Sequence, residues 1–180
     1  EPCDLLIAAD GGLAPLEARG LKPDVIIGDF DSLGYIPEKT DAAGGSGGIS
    51  SPEGNADGEK EPDIFLLPCE KDDTDMEAAC RLAWERGCRT LRIYGGSGSR
   101  PDHFLANLQL LAHYSELGGE ASLTAPDFTV YFITAREISL QREPGTVFSV
   151  FTVHEKAEGV SIFGGAKYLL DRAELTNTCT

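Results

Sequence analysis

The stretch "DVIIGDFDSLG", Asp24 to Gly34, decides the fold. Val25, Ile26 and Ile27 are apolar without alternation, which marks a strand buried on both faces, as in a parallel sheet. The run stops at Gly28, and two carboxylates one residue apart, Asp29 and Asp31, follow at once. Open α/β sheets bind ligands at the carboxyl ends of their strands. The stretch therefore predicts negative charge gathered in a ligand crevice.

Three more segments read as buried strands leading into polar loops. Leu5–Ala9 runs into Asp10-Gly11-Gly12, Ile64–Leu67 into Pro68 through Asp75, and Leu91–Tyr94 into "GGSGSR", Gly95 to Arg100. Helical spacing lies between them. Met76, Ala79, Cys80 and Ala83 form one stripe, capped at its start by Asp73 or Thr74 with Glu77 in support, and stopped by Gly87. Phe104, Leu105, Leu108, Leu111 and Ala112 form another before Gly118-Gly119. Strand, loop and helix in alternation predict an α/β domain with a mostly parallel sheet over residues 1–126. From residue 127 to 180 the texture changes. "FTVYFI", "EISL", "TVFSVFTV" and "GVSIFG" are short, rich in Val, Phe, Thr and Ile, and separated by turn residues, which predicts a smaller antiparallel β-domain. Asp41 to Pro62, with six glycines and little that packs, reads as a flexible surface loop.

At 180 residues the chain can bury a real core, and 41% hydrophobic with 25% charged residues is ordinary for a soluble globular protein. The net charge of −15 argues against nucleic acid and against an anionic membrane surface as partners. A small anion stays open, because local cations and a metal override the global field. Five cysteines with no CxxC pair suit reduced thiols in the cytoplasm. No apolar run approaches the roughly 18 residues of a membrane span. The chain enters almost directly in a strand and stops in "LTNTCT", so it reads as a trimmed piece of a longer one.

In a parallel sheet all four loops emerge at one edge, so Asp10, Asp29, Asp31, Asp72, Asp73, Asp75, Arg100 and Asp102 are expected there together. Crowded carboxylates repel one another and must bind a cation or take up protons. Hard oxygen donors without supporting histidine or thiolate suit Mg²⁺ or Ca²⁺. The glycines before Arg100 read either as a tight strand-to-helix turn or as a phosphate cradle. No GK[ST] follows, so this is not a P-loop. Beside them Arg100 suits two-point binding of a phosphate. His103 reads equally as a helix-start residue and as a catalyst.

Taken in order, Ala9–Gly12 ("ADGG"), Gly28–Ser32 ("GDFDS"), Lys71–Asp75 ("KDDTD"), Gly95–His103 with Asn107–Leu111, and Gly165–Leu169 resemble the thiamin pyrophosphokinase (thiamine diphosphokinase) family. The resemblance implies an α/β catalytic domain followed by a β-sandwich-like thiamine-binding domain, working as a homodimer with active sites between subunits. It implies Mg²⁺-dependent transfer of diphosphate from ATP to the hydroxyl of thiamine, with AMP released. By motif position Asp29, Asp31 and Asp75 are the metal ligands. Asp10, Gly11, Thr74, Gly96, Gly98, Arg100, Asp102 and His103 surround the nucleotide, with Asp73 and Lys71 assisting. Asp102 is the candidate general base by type and place. Ser99 and Pro101 depart from the family pattern around the arginine. The resemblance puts the thiamine-contacting segment beyond Thr180.

Two other readings compete. A strand ending in "DFDS" also resembles haloacid-dehalogenase-type phosphatases, in which Asp29 would be phosphorylated and Asp31 would act as acid. The other is a non-catalytic nucleotide- or cation-binding module.

Overall fold

A computed structural model gives the fold, described for residues 4–30, 61–68 and 73–178. Contacts divide the chain into two units, Glu1–Ala135 and Arg136–Thr180.

The first unit holds two three-stranded sheets. β1 (Ile7–Ala9), β2 (Val25–Gly28) and β3 (Asp63–Leu66) lie in that order and are all parallel, with Ile7 opposite Val25 and Val25 opposite Asp63. β2 is central and every residue of it is buried, which accounts for its unbroken apolar run. β3 was also expected to be buried. It is the sheet edge, half-buried along its length with Leu66 exposed. Between β1 and β2 come a single 3₁₀ turn, Asp10–Gly12, and a short helix α1 (Leu13–Glu17) that the spacing did not reveal. The glycine-rich loop expected at Asp41 to Pro62 falls almost wholly outside the described residues.

α2 (Asp75–Glu85) buries Ala78, Ala79, Cys80 and Ala83. Ala78 and Ala79 pack on Ile27 of β2, so the helix lies across the first sheet. Gly87 stops it in a left-handed conformation, φ 91°, while the Cys88 amide reaches back to the Ala83 carbonyl and the Gly87 amide to Trp84. This is the double closure of a Schellman motif. β4 (Thr90–Tyr94) follows. It is parallel to β5 (Glu120–Thr124), which is antiparallel to β6 (Thr129–Phe132). α3 (Pro101–Glu116) connects β4 to β5 and buries Asn107, Leu111, Ala112, Tyr114 and Ser115. Leu105, placed on the apolar stripe by spacing, is exposed, and the buried face is turned toward Asn107. Leu111 and Leu123 are completely buried at the centre of the main core, with Ile93, Leu91 and Cys80 around them. Leu5 and Ile7 pack against that core, which ties the strand β1 region to the second sheet.

The unit boundary at Ala135 falls later than the division read after residue 126, because "FTVYFI" supplies β6, which pairs with β5 through Ala121 opposite Phe132. The second unit contains β7 (Lys156–Ile162) and β8 (Leu170–Thr176), an antiparallel pair with two register shifts. "EISL" and "TVFSVFTV" were expected to be strands. Among the described residues they join no ladder, and Val147, Phe148 and Phe151 stand exposed. Strand propensity describes fit to a pleated, half-buried surface, and without a partner edge it produces no strand. A two-stranded ladder is what the described residues show of the expected sandwich. Cys80 is a free buried thiol, whereas Cys88 is disulfide-bonded, which departs from the expectation of reduced cysteines throughout. Among the described residues no helix is long and apolar enough to cross a membrane.

Candidate functional site

The ends of β1 and β2 are built around one contact. A Cβ on Gly28 would lie 3.1 Å from the Asp10 Cα and 3.2 Å from its Cβ and N, so the absence of a side chain there lets the Asp10 turn close over the end of β2. Asp29 is the next residue, half-buried. Both sides of the contact carry unusual backbone. Asp10 has φ 41° and Phe30 has φ 61°, left-handed values that L-residues other than Asn and Asp seldom adopt. Such residues cost roughly 1–3 kcal/mol each and persist where their surroundings fix them. The Phe30 ring supplies that restraint: it is 3% exposed and packs with Ala8, Leu13 and Ile26. Asp29 is thus held between a packed aromatic anchor and the Asp10 turn, while Gly11 lies exposed in that turn.

The start of α2 is fixed by capping. Thr74 is extended, φ −77° and ψ 157°, and its Oγ1 accepts the Glu77 amide at 3.1 Å. Of the two residues read as caps, Thr74 takes the place. Asp75 is the first helical residue and half-buried, at the helix end where a negative charge meets the positive dipole. Asp75 lies one turn before Ala78 and Ala79, which pack on Ile27 of β2. Asp73 is engaged elsewhere: its Oδ2 accepts from Arg81 Nη1 at 2.5 Å on the outer face of the helix.

The third element is the turn from β4 into α3. Gly95 has φ 75°, a conformation that suits glycine, and Gly96 is buried against Ile93 and Leu123. Gly98 has open space around it. Pro101 opens α3 at the position where its missing amide donor costs nothing. Arg100 and Asp102 pair through two bonds, Nη2 to Oδ2 at 2.5 Å and Nε to Oδ1 at 3.2 Å. Hydrogen bonding from Arg100, and secondarily the His103 amide, brings the Asp102 carboxyl down to about 2. All of Arg100, Asp102 and His103 are solvent-exposed.

The structure therefore brings Asp10 against Gly28, the residue before Asp29, and starts α2, which packs on the same sheet, at Asp75. Arg100, Asp102, His103, Gly96 and Gly98 form a second group at the end of β4. Asp31, Lys71 and Asp72 lie outside the described residues. Among the described residues no three His, Cys, Asp or Glu side chains gather as a metal cage. Carboxylate oxygens such as those of Asp29 and Asp75 are the donor type that suits Mg²⁺, which commonly takes one or two carboxylates and completes its shell with water and phosphate oxygens.

Residues 49–121 match the sequence model of the thiamin pyrophosphokinase catalytic domain. The family that matches is thiamin pyrophosphokinase. A curated relative, thiamine pyrophosphokinase of Bacillus subtilis (strain 168), is 33% identical over 107 residues, 59% of this chain and 42% of the relative. The chain thus spans less than half the length of that relative. Among solved structures, thiamine pyrophosphokinase from Bacillus subtilis aligns with TM-score 0.67 at 24% identity, covering 96% of this chain and 73% of the other. A thiamin pyrophosphokinase family protein from Enterococcus faecalis aligns with TM-score 0.62 at 22% identity, covering 94% and 73%. At those identities the structures establish the shared fold.

The resemblance read from the motifs is borne out by these matches, and the fold is a mixed α/β one like that of thiamin pyrophosphokinases. The matched segment contains the Lys71–Asp75 and Gly95–His103 loops, while Asp10 and Asp29 precede it. Three residues that shape the site stood in the sequence only as members of motifs, with no role of their own: Gly28, Phe30 and Asn107. Each had a signal. Gly28 ends a fully buried strand, Phe30 is an apolar residue between two carboxylates, and Asn107 is an amide within an apolar helical stripe.

Proposed function

We propose that the protein transfers the diphosphate group of ATP to the hydroxyl of thiamine, giving thiamine diphosphate and AMP, with Mg²⁺ and as a homodimer. The observation that carries this reading is the closure of the Asp10 turn on Gly28, which sets Asp29 at the carboxyl end of a buried parallel strand. It joins the match of residues 49–121 to the family's catalytic domain.

In the reaction the thiamine hydroxyl oxygen forms a bond to the β-phosphorus of ATP and releases its proton to solvent. The bond from that phosphorus to the oxygen bridging the α- and β-phosphates breaks, and AMP leaves with that oxygen. Such transfer needs in-line positioning and neutralised phosphate oxygens more than covalent help. Bound Mg²⁺ supplies charge neutralisation of the polyphosphate. Asp29, Asp31 and Asp75 are the residues proposed to hold it, with Asp10 beside them. Asp73 sits on Arg81 and Thr74 caps α2, so we give both a structural part in keeping Asp75 in place. Gly11, Gly96, Gly98, Lys71 and His103 remain in the proposed nucleotide-binding set. Arg100 offers its planar fork to the polyphosphate. Asp102 is joined to Arg100 through two hydrogen bonds, so we assign it to orienting Arg100.

The test is product analysis with the full-length protein, ATP, Mg²⁺ and thiamine. Thiamine-dependent formation of AMP and thiamine diphosphate is expected, and Asp29→Asn should lower it by at least about 100-fold, the scale of losing a positioned electrostatic group. Phosphate release from simple monoesters without any AMP would instead support the phosphatase reading. Tight ATP–Mg²⁺ binding without turnover would support the binding module.

A further inference from the structure

Among the described residues Asn107 is one of two buried polar residues, 8% exposed on a helix face that also buries Leu111, Ala112, Tyr114 and Ser115. A buried amide at such a position is costly unless its hydrogen bonds are made. Its Nδ2 donates to the Gly96 carbonyl at 2.9 Å. The partner is itself fixed. A Cβ on Gly96 would lie 2.7 Å from Ile93 Cγ2, 3.1 Å from Asn107 Nδ2 and 3.1 Å from Leu123 Cδ1. Side chains from β4, β5 and α3 therefore close around one peptide of the glycine-rich turn.

That contact determines a direction. The structure contains no cis peptide bonds among the described residues, and in a planar trans peptide the carbonyl and the following N–H point opposite ways. With the Gly96 carbonyl drawn inward to Asn107, the Ser97 amide is turned the opposite way, away from the Asn107 side chain. Backbone amides at such a turn are natural partners for phosphate oxygens.

We propose that Asn107 is a positioning residue for the polyphosphate of the nucleotide: it holds the Gly96–Ser97 peptide so that the Ser97 amide faces the phosphate. The inference rests on the reading of this protein as an ATP-dependent diphosphotransferase. It assigns the work to a side chain that never touches the nucleotide.

Two substitutions in the full-length protein separate orientation from packing. Asn107→Leu replaces the amide with an apolar side chain suited to the surrounding core. Asn107→Asp keeps the shape but removes the donor. Binding of ATP–Mg²⁺ and of thiamine is measured separately by calorimetry, with thermal melting as the check on folding. Both variants should bind ATP–Mg²⁺ at least about tenfold more weakly, one hydrogen bond's worth of affinity, with thiamine binding within about twofold of wild type. Wild-type affinity for ATP–Mg²⁺ in folded Asn107→Leu, or equal loss for both ligands, overturns the proposal. If neither variant folds, the wild-type Ser97 amide decides by NMR: a shift on adding ATP–Mg²⁺ supports the assignment, and an unmoved amide overturns it. Failure of the functional reading would look different, since the wild type itself would then bind no ATP–Mg²⁺ or make no AMP.

Discussion

Replacing Gly28 with alanine adds one methyl group at the contact on which the acidic end of the sheet is built. Gly28 does not have a left-handed backbone, so alanine brings no conformational strain and the effect reports the contact alone. The new Cβ would meet three atoms of Asp10 at 3.1–3.2 Å, two of them backbone, where carbon contacts are comfortable at about 3.5–4.0 Å. Backbone cannot swing aside as the end of a lysine would. The Asp10 turn must therefore retreat by several tenths of an ångström. Overpacking of this kind costs about 1–3 kcal/mol, partly offset by the ~0.5–1 kcal/mol that alanine gains over glycine within a strand. The net, roughly 0–2.5 kcal/mol, corresponds to a melting temperature lower by up to about 10 °C for a chain of this size. Activity should fall further than stability, because the displaced residue flanks Asp29, and misplacement near reacting groups can cost ~100-fold. The control is Gly12→Ala in the same turn, where a Cβ meets nothing within 4 Å and φ is −66°. Thermal melts and thiamine-dependent AMP formation on both variants measure the difference. Wild-type behaviour of Gly28→Ala, or equal damage from Gly12→Ala, would refute the reasoning.

Thr74→Ala leaves the Glu77 amide without its cap and should cost about 1 kcal/mol, seen as a fall of roughly 2–4 °C in melting temperature. Asp102 titrates low in the folded state, about 2 against an ordinary 3.8, because Arg100 bonds its charged form. Its stabilising contribution is therefore present above about pH 4 and disappears as pH falls toward 2, with the sign set by a depressed carboxylate. Carboxyl NMR titration should show this, and Arg100→Ala should return the value toward 3.8. The Cys80 thiol is pushed up to about 12 by burial, with Glu77 adding to the shift. It should resist iodoacetamide at pH 8 in the folded protein and react once denaturant exposes it; rapid labelling of the native protein would contradict the packing around it.

Elements whose residues answer to local rules were legible in the sequence. Val25 to Ile27 are apolar because both faces of β2 are covered, and Thr74 with Glu77 marks the start of α2 through a cap that needs no tertiary partner. Elements that depend on partners were not. "EASLT" becomes β5 because β4 and β6 flank it, although its alternation is slight. "TVFSVFTV" has the richer strand composition yet pairs with nothing among the described residues. β6 was read as a strand but assigned to the wrong unit, since composition says nothing about which edge a strand will join.

The site divides along the same line. Carboxylates announce themselves, so Asp10, Asp29, Asp75 and Asp102 could be picked out as residue types with a chemistry. What holds them could not, because holding is done by shape. Gly28 matters for an atom it lacks, Phe30 for a ring buried under a left-handed backbone, and Asn107 for a bond to a carbonyl eleven residues back. None of the three offers a charge or a nucleophile. Gly28 and Gly96 are intolerant for different reasons: at Gly28 a side chain would strike backbone, and at Gly96 it would strike the side chains of β4, β5 and α3. A methyl at Gly28 should therefore be felt through the Asp10 turn, whereas one at Gly96 should be felt through the core, in stability first and in nucleotide binding as a consequence. Comparing the two alanine variants by melting temperature and by ATP–Mg²⁺ affinity would separate them. Gly96→Ala should show the larger loss of stability, because a 2.7 Å approach to Ile93 cannot be relieved without moving β4 or its side chain. If instead Gly28→Ala melts lower, the acidic turn is the more rigid of the two anchors, and the core around Ile93 yields more readily than its packing implies.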